Sequence, residues 1–234
     1  MKLIVGALAA VATIALIPMP AHARPVTKSA ASRNWTHVFS VTPDGGFRMG
    51  NPKAKVAIVE YASLTCPHCR HFAETAMKPL VSQYVRTGKA SYEFRSFVLN
   101  GIDLAATLLA RCNGPAHFFP TAEKLYATQS AWVDKITNLP KAEQDKLNAL
   151  PDNQLMLGIA KAGNLLPIAA AHGIPTVKAA TCLKDDAAAK RLVKMRQAAA
   201  DSGVTGTPTF LVNGKQVAAY DWATLEPFLK EAGS

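Results

Sequence analysis

The sequence predicts an α/β fold in which a long block of helices separates a strand–helix–strand unit from a final hairpin and helix. Three observations support this prediction. An apolar, mostly β-branched run at 56–59 leads directly into a long helical pattern. Alanine and leucine at helical spacing dominate residues 102–200. Strand signals return after Gly203 and flank Asn213-Gly214, a dipeptide typical of a type I′ hairpin turn.

Residues 1–23 have the pattern of a cleaved secretory signal. Lys2 provides a positive start, residues 3–17 are apolar and uncharged, and a small-x-small cleavage signal follows at 21–23. The alternative is an uncleaved N-terminal anchor, but the apolar run is short for a membrane span. We therefore predict export to the periplasm, an oxidising compartment in which disulfides persist, with residues 24–34 as a flexible lead.

The chain is basic, with a formal net charge of +10. A basic surface can bind nucleic acid, but the sequence has no dense basic run and no aromatic residues interleaved with one. We expect a solvated basic surface and no nucleic-acid partner. After the signal, about 210 residues remain, which suits one domain with a large insertion.

The first predicted strands are separated by turn residues. Residues 36–41 alternate and predict a strand, and Pro-Asp-Gly-Gly at 43–46 predicts a turn. Asn51-Pro52 breaks the chain again before a central strand at 55–61. Because that strand is continuously apolar over its first half, we expect it to be buried on both faces of a sheet.

The central strand is followed by a helix that begins near Pro67 and ends at Gly88. Pro79 lies inside the pattern and predicts a kink one turn earlier. Residues 91–99 then predict a second strand. Strand, helix and strand together form a βαβ unit, whose strands are parallel.

The helical block contains six predicted helices, at 102–112, 115–129, 141–148, 152–162, 164–172 and 175–200, the last with a break near Asp185.

After this block, a strand at 209–212 and an antiparallel partner at 215–220 precede a helix at 222–231, with Asp221 or Thr224 as its N-cap. This order is that of a thioredoxin fold with an inserted helical domain. It divides the chain into a first part at 35–100, the insertion at 101–202 and a second part at 203–234.

The start of the long helix carries the main candidate for chemistry, Cys66-Pro67-His68-Cys69. Pro67 suits the first position of a helix, which makes Cys66 the N-cap. There the sulfur faces the unpaired N–H groups of His68 and Cys69 and the positive end of the helix dipole, which favour the nucleophilic thiolate. Cys69 lies about one turn away and can close a disulfide with Cys66.

Other interpretations of this motif are a static disulfide, half of a zinc site and a haem attachment site. A zinc site needs a second pair of ligands at short spacing, whereas Cys112 and Cys182 are isolated from each other, so we expect no metal. Haem attachment needs His directly after the second Cys, where this chain has Arg70. Redox chemistry is therefore favoured.

The chain resembles the DsbA-type thiol:disulfide oxidoreductases of the bacterial periplasm, in the thioredoxin superfamily. Three features carry the resemblance over most of 35–234: the Cys-Pro-His-Cys motif, Glu60 six residues before Cys66, and Thr207-Pro208 followed by an apolar strand and Asn-Gly. The chain departs from the best-known members at Thr207, where they carry valine. Because threonine there also occurs in isomerases, an isomerase or reductase remains the alternative enzyme.

The resemblance implies a role for each site residue. Cys66 and Cys69 exchange disulfides. His68, by its place next to the sulfur, can support the Cys66 thiolate, and the other interpretation is an exposed loop histidine. Glu60 is implied to be a buried acid that moves a proton for Cys69, since a carboxyl in an apolar strand binds a proton readily. The other interpretation of Glu60 is a solvated carboxylate at a strand end.

The substrate-binding residues implied by the resemblance are Pro67, Thr207 and Pro208. We expect Pro208 to be cis, a state that usually serves a purpose, and to expose the Thr207 backbone to an extended substrate segment. Cys112 and Cys182 form an additional pair that only some DsbA-like branches carry, and we expect them to form a structural disulfide between two helices.

The implied partners are reduced or unfolded exported proteins and a quinone-linked membrane oxidase of the DsbB type. No cofactor beyond the Cys66–Cys69 disulfide is expected. We also expect a monomer, because periplasmic isomerases usually dimerise through a sizeable N-terminal domain and only a short segment precedes the fold here. The alternative outside the enzymes is a chaperone or binding protein whose disulfide is structural.

Overall fold

The structure, a computed structural model, describes residues 33–233. The predicted signal at 1–23 and most of the predicted lead at 24–34 lie outside the described residues. The centre of the fold is a six-stranded sheet with the order β1-β2-β4-β3-β5-β6. Its strands are β1 (Phe39–Val41), β2 (Phe47–Gly50), β3 (Val56–Ala62), β4 (Ala90–Ser96), β5 (Thr209–Val212) and β6 (Lys215–Val217). Strands β3 and β4 are parallel, and the other neighbouring pairs are antiparallel.

Ten α-helices lie among the described residues. They are α1 (Pro67–Pro79), α2 (Gly101–Arg111), α3 (Pro115–Ala127), α4 (Gln129–Thr137), α5 (Lys141–Asn148), α6 (Asp152–Ala162), α7 (Leu165–Ala171), α8 (Thr176–Leu183), α9 (Asp186–Asp201) and α10 (Trp222–Glu231). Helices α2 to α9 form the block between β4 and β5. The predicted order of strands and helices is therefore observed, while the exact domain boundaries stay a prediction.

The N-terminal strand prediction needs two corrections. Residues Trp35–His37 form a 3₁₀ turn, because Asn34 caps them by accepting the Thr36 N–H, and the strand begins only at Phe39. The sequence analysis also missed β2, which pairs with both β1 and β4. With only four residues between breaker clusters, β2 is too short to show a clear period.

Strand β3 is buried on both faces because its side chains alternate between two cores. Val56, Ile58 and Ala62 belong to the large core that includes α1 and the helical block. Val59 and Tyr61 point to a smaller core that also contains residues of α9 and its C-terminal loop. Glu60 alternates with the same set of residues, so its side chain lies on the face of the sheet that α1 covers.

Pro79 is the last residue of α1, and the chain continues as a π-helix at Leu80–Val85. The Arg86 N–H bonds to the Val81 carbonyl, five residues back, at 2.8 Å. Gly88, with a φ of 79°, follows in the left-handed region that glycine tolerates. The proline thus marks a change in helical hydrogen bonding, and the kink expected one turn earlier stays a prediction.

One feature of the helical block differs from the sequence prediction. Helix α4 was missed, because it begins directly after α3 with Thr128 between them and without a glycine or proline. The break predicted near Asp185 is confirmed: α8 ends at Leu183, and Asp185 caps α9 by accepting the Ala188 N–H. Among the described residues, no single helix has the length and apolar character to cross a membrane. One pair bent by 81°, α6 with α7, meets that test by length and composition alone.

Candidate active site

Cys66 lies at the N-cap of α1, where the chain leaves β3 and turns into the helix. Pro67 is the first helical residue, and Cys66 itself keeps an extended backbone, with φ −79° and ψ 122°. Only 5% of the Cys66 surface is exposed, whereas Cys69 is fully buried. Both are free thiols, so this structure shows the dithiol state of the motif.

The pKa of Cys66 is lowered from 9.0 to about 5. The largest cause is a hydrogen bond from Cys69, which outweighs the opposite effect of burial. Thr207 and the backbone N–H groups of Cys69 and His68 lower the pKa further. The two N–H groups act without a regular capping hydrogen bond to the sulfur. Near neutral pH, Cys66 is therefore a thiolate.

Cys69 behaves in the opposite way, since its pKa is raised well above 9.0. Burial is the main cause, and the hydrogen bond to Cys66 and the charges of Glu60 and Cys66 add to it. The two sulfurs therefore divide their tasks: Cys66 carries the negative charge and Cys69 keeps the proton.

Glu60 lies in β3 with 2% of its surface exposed. Burial raises its pKa from 4.5 to about 8, and the negative charge of Cys66 acts in the same direction. The Tyr92 hydroxyl donates to the Glu60 Oε2 and limits the rise. Glu60 is therefore a buried acid and not a solvated strand-end carboxylate, and it can gain or lose a proton near neutral pH.

The loop before β5 completes the site on the other side of Cys66. Its Thr207–Pro208 peptide bond is cis. When protonated, the Cys66 thiol donates to the Thr207 carbonyl at a sulfur–oxygen distance of 3.3 Å, whereas the Thr207 side chain is the partner that lowers the Cys66 pKa. This proximity follows from the sheet, because β5 pairs with β3 and places Phe210 opposite Glu60. The Phe210 ring also packs on that of Phe72 in α1, with ring centroids 4.6 Å apart.

Sequence reasoning missed three residues of the helical block that hold the loop at 63–66. Asp103 accepts the Leu64 N–H at 2.9 Å, and the Tyr126 hydroxyl donates to the Ser63 carbonyl at 3.0 Å. The Gln129 Nε2 donates to the carbonyls of Leu64 and Cys66 at 2.8 and 3.0 Å. No local motif marks these residues, because each lies far along the chain from its partners.

Asp103 is the titratable member of this group. Its carboxylate also accepts the Leu99 N–H at 2.9 Å. Burial raises its pKa to about 6, against the lowering effect of its hydrogen bonds. At neutral pH the carboxylate can thus remain charged and bind both the loop before α1, at Leu64, and the loop before α2, at Leu99.

The remaining predicted site residues lie at the surface or elsewhere in the block. Pro67 and His68 are exposed on the first turn of α1, beside Cys66. Cys112, the C-cap of α2, forms a disulfide with Cys182 in α8. Within residues 33–233, no three His, Cys, Asp or Glu side chains gather as metal ligands.

A thioredoxin family model matches residues 42–231 of the chain. Two curated relatives, from Rickettsia felis and Rickettsia prowazekii, carry the provisional name protein-disulfide oxidoreductase. They are 30% and 31% identical over 76% and 79% of this chain. The chain spans only 56% and 60% of the length of those two relatives.

Solved structures resemble the chain over more of their own length. A protein-disulfide isomerase from Novosphingobium aromaticivorans has a TM-score of 0.74 and 31% identity, covering 80% of this chain and 97% of its own. Wolbachia pipientis alpha-DsbA1 has a TM-score of 0.60 and 23% identity, covering 82% and 92%. The predicted thioredoxin fold with a helical insertion is confirmed.

Proposed function

We propose that this chain, which belongs to the thioredoxin family and has the fold of DsbA-type proteins, is a protein thiol:disulfide oxidoreductase that works through Cys66 and Cys69. The observation that carries the proposal is the unequal pair of sulfurs, one with a pKa of about 5 at a helix N-cap and one held protonated by burial. A low pKa stabilises the reduced protein and makes the oxidised protein a strong electron acceptor.

The reaction begins with the Cys66–Cys69 disulfide. A substrate thiolate attacks the Cys66 sulfur, a mixed disulfide forms, and Cys69 leaves with the electron pair of the broken bond. A second thiolate of the substrate then attacks the substrate sulfur of the mixed disulfide and releases Cys66 as a thiolate. The substrate loses two electrons and two protons, and the Cys66–Cys69 pair gains the two electrons.

Of the two protons that the substrate loses, one goes to Cys69, whose pKa is raised well above 9.0, and the other goes to solvent. Glu60 is the proposed donor in this direction and the acceptor in the reverse direction. Its pKa of about 8 suits both roles near neutral pH. The exposed His68, on the same turn as Cys66, is proposed to stabilise the thiolate.

The proposed substrates are reduced segments of exported proteins. The Thr207 carbonyl already accepts a hydrogen bond from Cys66, which places the Thr207 main chain beside the reacting sulfur. An extended segment that pairs with this main chain, between Pro67 and Pro208, would be bound with little regard to its sequence. This breadth suits an enzyme with many clients.

We further propose that the protein acts as a monomer in the periplasm and is reoxidised by a quinone-linked membrane protein of the DsbB type. The N-terminal sequence and the Cys112–Cys182 disulfide support an oxidising compartment. The proposal requires no cofactor other than the Cys66–Cys69 disulfide.

Oxidation of a reduced two-cysteine peptide tests the proposal. Oxidised wild type should oxidise the peptide, and both Cys66→Ser and Cys69→Ser should abolish the reaction because neither can form the Cys66–Cys69 disulfide. When Cys69→Ser is instead given the peptide with its disulfide formed, Cys66 should attack that disulfide and accumulate as a mixed disulfide, since no Cys69 is present to resolve it. Undiminished oxidation by Cys66→Ser would leave a binding protein or chaperone with a structural disulfide. Equilibration with glutathione then measures the reduction potential, which should be strongly oxidising.

Isomerase activity is the second candidate, since the most similar solved structure described above is named a protein-disulfide isomerase. Scrambled ribonuclease separates the two activities. An oxidase should form disulfides in the reduced substrate and rearrange the scrambled one poorly, whereas efficient rearrangement would assign isomerase activity instead.

A further inference from the structure

A cavity of about 360 Å³ lies between the β1–β2 turn and the helices α2, α8 and α9. Its lining shares no residue with the site around Cys66. Most of the walls are apolar, and the Cys112–Cys182 disulfide forms part of them. The apolar side chains that line it are Val41, Phe47, Leu108, Leu192 and Met195. A volume of this size is at the small end of ligand pockets.

The polar feature of this cavity is Arg111, at the end of α2. Its Nη2 donates to the Gly45 carbonyl at 2.7 Å, and its guanidinium carbon lies 3.8 Å from the centre of the Phe47 ring. Its Nη1 is buried and has no hydrogen-bond partner among the described residues. Arg111 thus places a half-buried positive charge in the wall of the cavity, although its Nη1 itself is closed to solvent.

A second guanidinium, from Arg191 on α9, lines the same cavity. Burial and the positive charge of Arg191 together lower the pKa of Arg111 to about 10. The acidic residue in the lining, Asp185, compensates only in part. Its Oδ1 accepts the Ala188 N–H at 2.9 Å, and its Oδ2 lies 3.9 Å from the Arg191 Nη2. The cavity thus has two positive charges and one negative charge.

We propose that this cavity binds a small organic carboxylate with an aliphatic chain, whose carboxylate pairs with the exposed Arg191 guanidinium and is attracted by the nearby charge of Arg111 while the chain fills the apolar walls. A guanidinium is the group best suited to hold a carboxylate by two parallel hydrogen bonds. An inorganic anion would leave the apolar walls unfilled, and a neutral apolar molecule would leave the two guanidinium groups with no counter-charge beyond Asp185.

Titration calorimetry of the full exported chain with octanoate tests the site directly. Octanoate should bind saturably with one site per chain. Acetate, which lacks the chain, and 1-octanol, which lacks the charge, should each bind at least about tenfold more weakly, as expected when a charge-assisted hydrogen bond or the apolar contact is lost. Absence of saturable octanoate binding, or equal binding of 1-octanol, would overturn the proposal.

Four variants assign the binding to these residues. Arg111→Met and Arg191→Met should each weaken octanoate binding at least about tenfold. Lys190→Met is the matched control, because it removes the same charge from an exposed position next to Arg191 that does not line the cavity, and it should bind as wild type does. Asp185→Asn keeps a good N-cap residue and removes the repelling charge, so it should bind more tightly than wild type.

Arg191 is exposed, so Arg191→Met tests the site even if the Arg111 variant does not fold. Circular dichroism establishes which variants are folded. Equal affinity of wild type, Arg191→Met and Asp185→Asn would show that octanoate binds elsewhere, and the proposal would fail. Peptide oxidation through Cys66 should be unchanged in Arg191→Met, so a loss of octanoate binding is distinguishable from a failure of the redox proposal.

Discussion

The Gln129 Nε2 donates a hydrogen bond to the Cys66 carbonyl at 3.0 Å. The same nitrogen donates to the Leu64 carbonyl at 2.8 Å, so one side-chain amide of the helical block holds both ends of the turn that carries the reactive cysteine. Gln129 is 4% exposed, and these bonds lie in the protein interior. The helical block is thus part of the support of the site and not only an addition to the fold.

Replacing Gln129 with Leu should lower the free energy of unfolding by about 1–3 kcal/mol, because the buried Leu64 carbonyl loses its amide donor. It should also slow peptide oxidation, since Cys66 loses one of the contacts that fix its backbone. The measurements are urea denaturation and the oxidation rate. The exposed Gln83→Leu variant is the control and should change neither quantity. An unchanged oxidation rate in Gln129→Leu would show that the bond is purely structural.

The reactivity of Cys66 should follow a pKa of about 5. We expect alkylation of reduced protein by iodoacetamide, followed at Cys66 by mass spectrometry, to rise with pH around that value. The neighbouring Cys69, whose pKa is raised well above 9.0, serves as the internal control and should stay unmodified near neutral pH. A Cys66 midpoint near 9 would remove the basis of the proposed oxidase.

The lowered pKa of Cys66 also predicts how the free energy of unfolding of the reduced protein depends on pH. Folding lowers the pKa of Cys66, so its contribution to the stability of the reduced protein is fully present above the unfolded value of 9.0 and is lost as the pH falls through about 5. The stability difference between reduced wild type and reduced Cys66→Ser should therefore grow as the pH rises from 5 to 9. Thermal unfolding at several pH values measures it, and a difference independent of pH would contradict the shift.

Local sequence signals suffice to predict the position of Cys66 but not its support. A buried strand followed by a proline at the first helical position makes the preceding residue the N-cap, and the structure places Cys66 there. Asp103, Tyr126 and Gln129 reach the loop before α1 from 39 to 65 residues away in sequence. Contacts of that kind depend on how the helical block packs on the sheet, which no local pattern encodes.

The burial of Glu60 is only partly predictable from the sequence. Alternation along the strand predicts which face Glu60 shares, but the sequence leaves both a buried and a solvated carboxyl open. Only the tertiary packing decides, because Tyr92 on the neighbouring strand and the core around α1 exclude water from the carboxyl. The predicted first strand began three residues too early, and β2 was missed. Both elements have only three or four residues, in which periodicity has little weight.

Glu60→Gln should raise stability at alkaline pH. Folding raises the pKa of Glu60 from 4.5 to about 8, so its favourable contribution is fully present below pH 4.5 and is lost as the pH rises through 8. The variant has no such group, and its advantage over wild type should increase between pH 5 and 9. Because the variant lacks the proposed proton donor for Cys69, its peptide oxidation should also be slower.

Thermal unfolding across this pH range provides the measurement for Glu60. Glu123→Gln is the matched control, since it removes the same charge from an exposed position. The exposed variant should follow the wild-type profile. A Glu60→Gln profile parallel to that of wild type would show that Glu60 is already charged in the folded protein at acidic pH.

Thr207→Val should raise the pKa of Cys66, because Thr207 contributes to lowering it. The midpoint of the Cys66 alkylation profile should move up by about one pH unit, as expected for loss of a hydrogen bond to a charged sulfur. Thr207→Ser retains the hydroxyl and is the matched control, with an expected midpoint near that of wild type. If both variants shift equally, the effect comes from packing of the loop and not from the hydroxyl.

The Cys112–Cys182 disulfide should stabilise the fold without taking part in exchange. It joins residues 70 apart in sequence, and the loop-entropy account assigns about 4 kcal/mol to a loop of this length. The double variant Cys112→Ala/Cys182→Ala should therefore unfold at a clearly lower urea concentration while still oxidising the reduced peptide, since Cys66 and Cys69 are untouched. Wild type treated with reductant until this bond opens should unfold at the same urea concentration as the variant. Loss of peptide oxidation by a folded double variant would instead give the second pair a redox role.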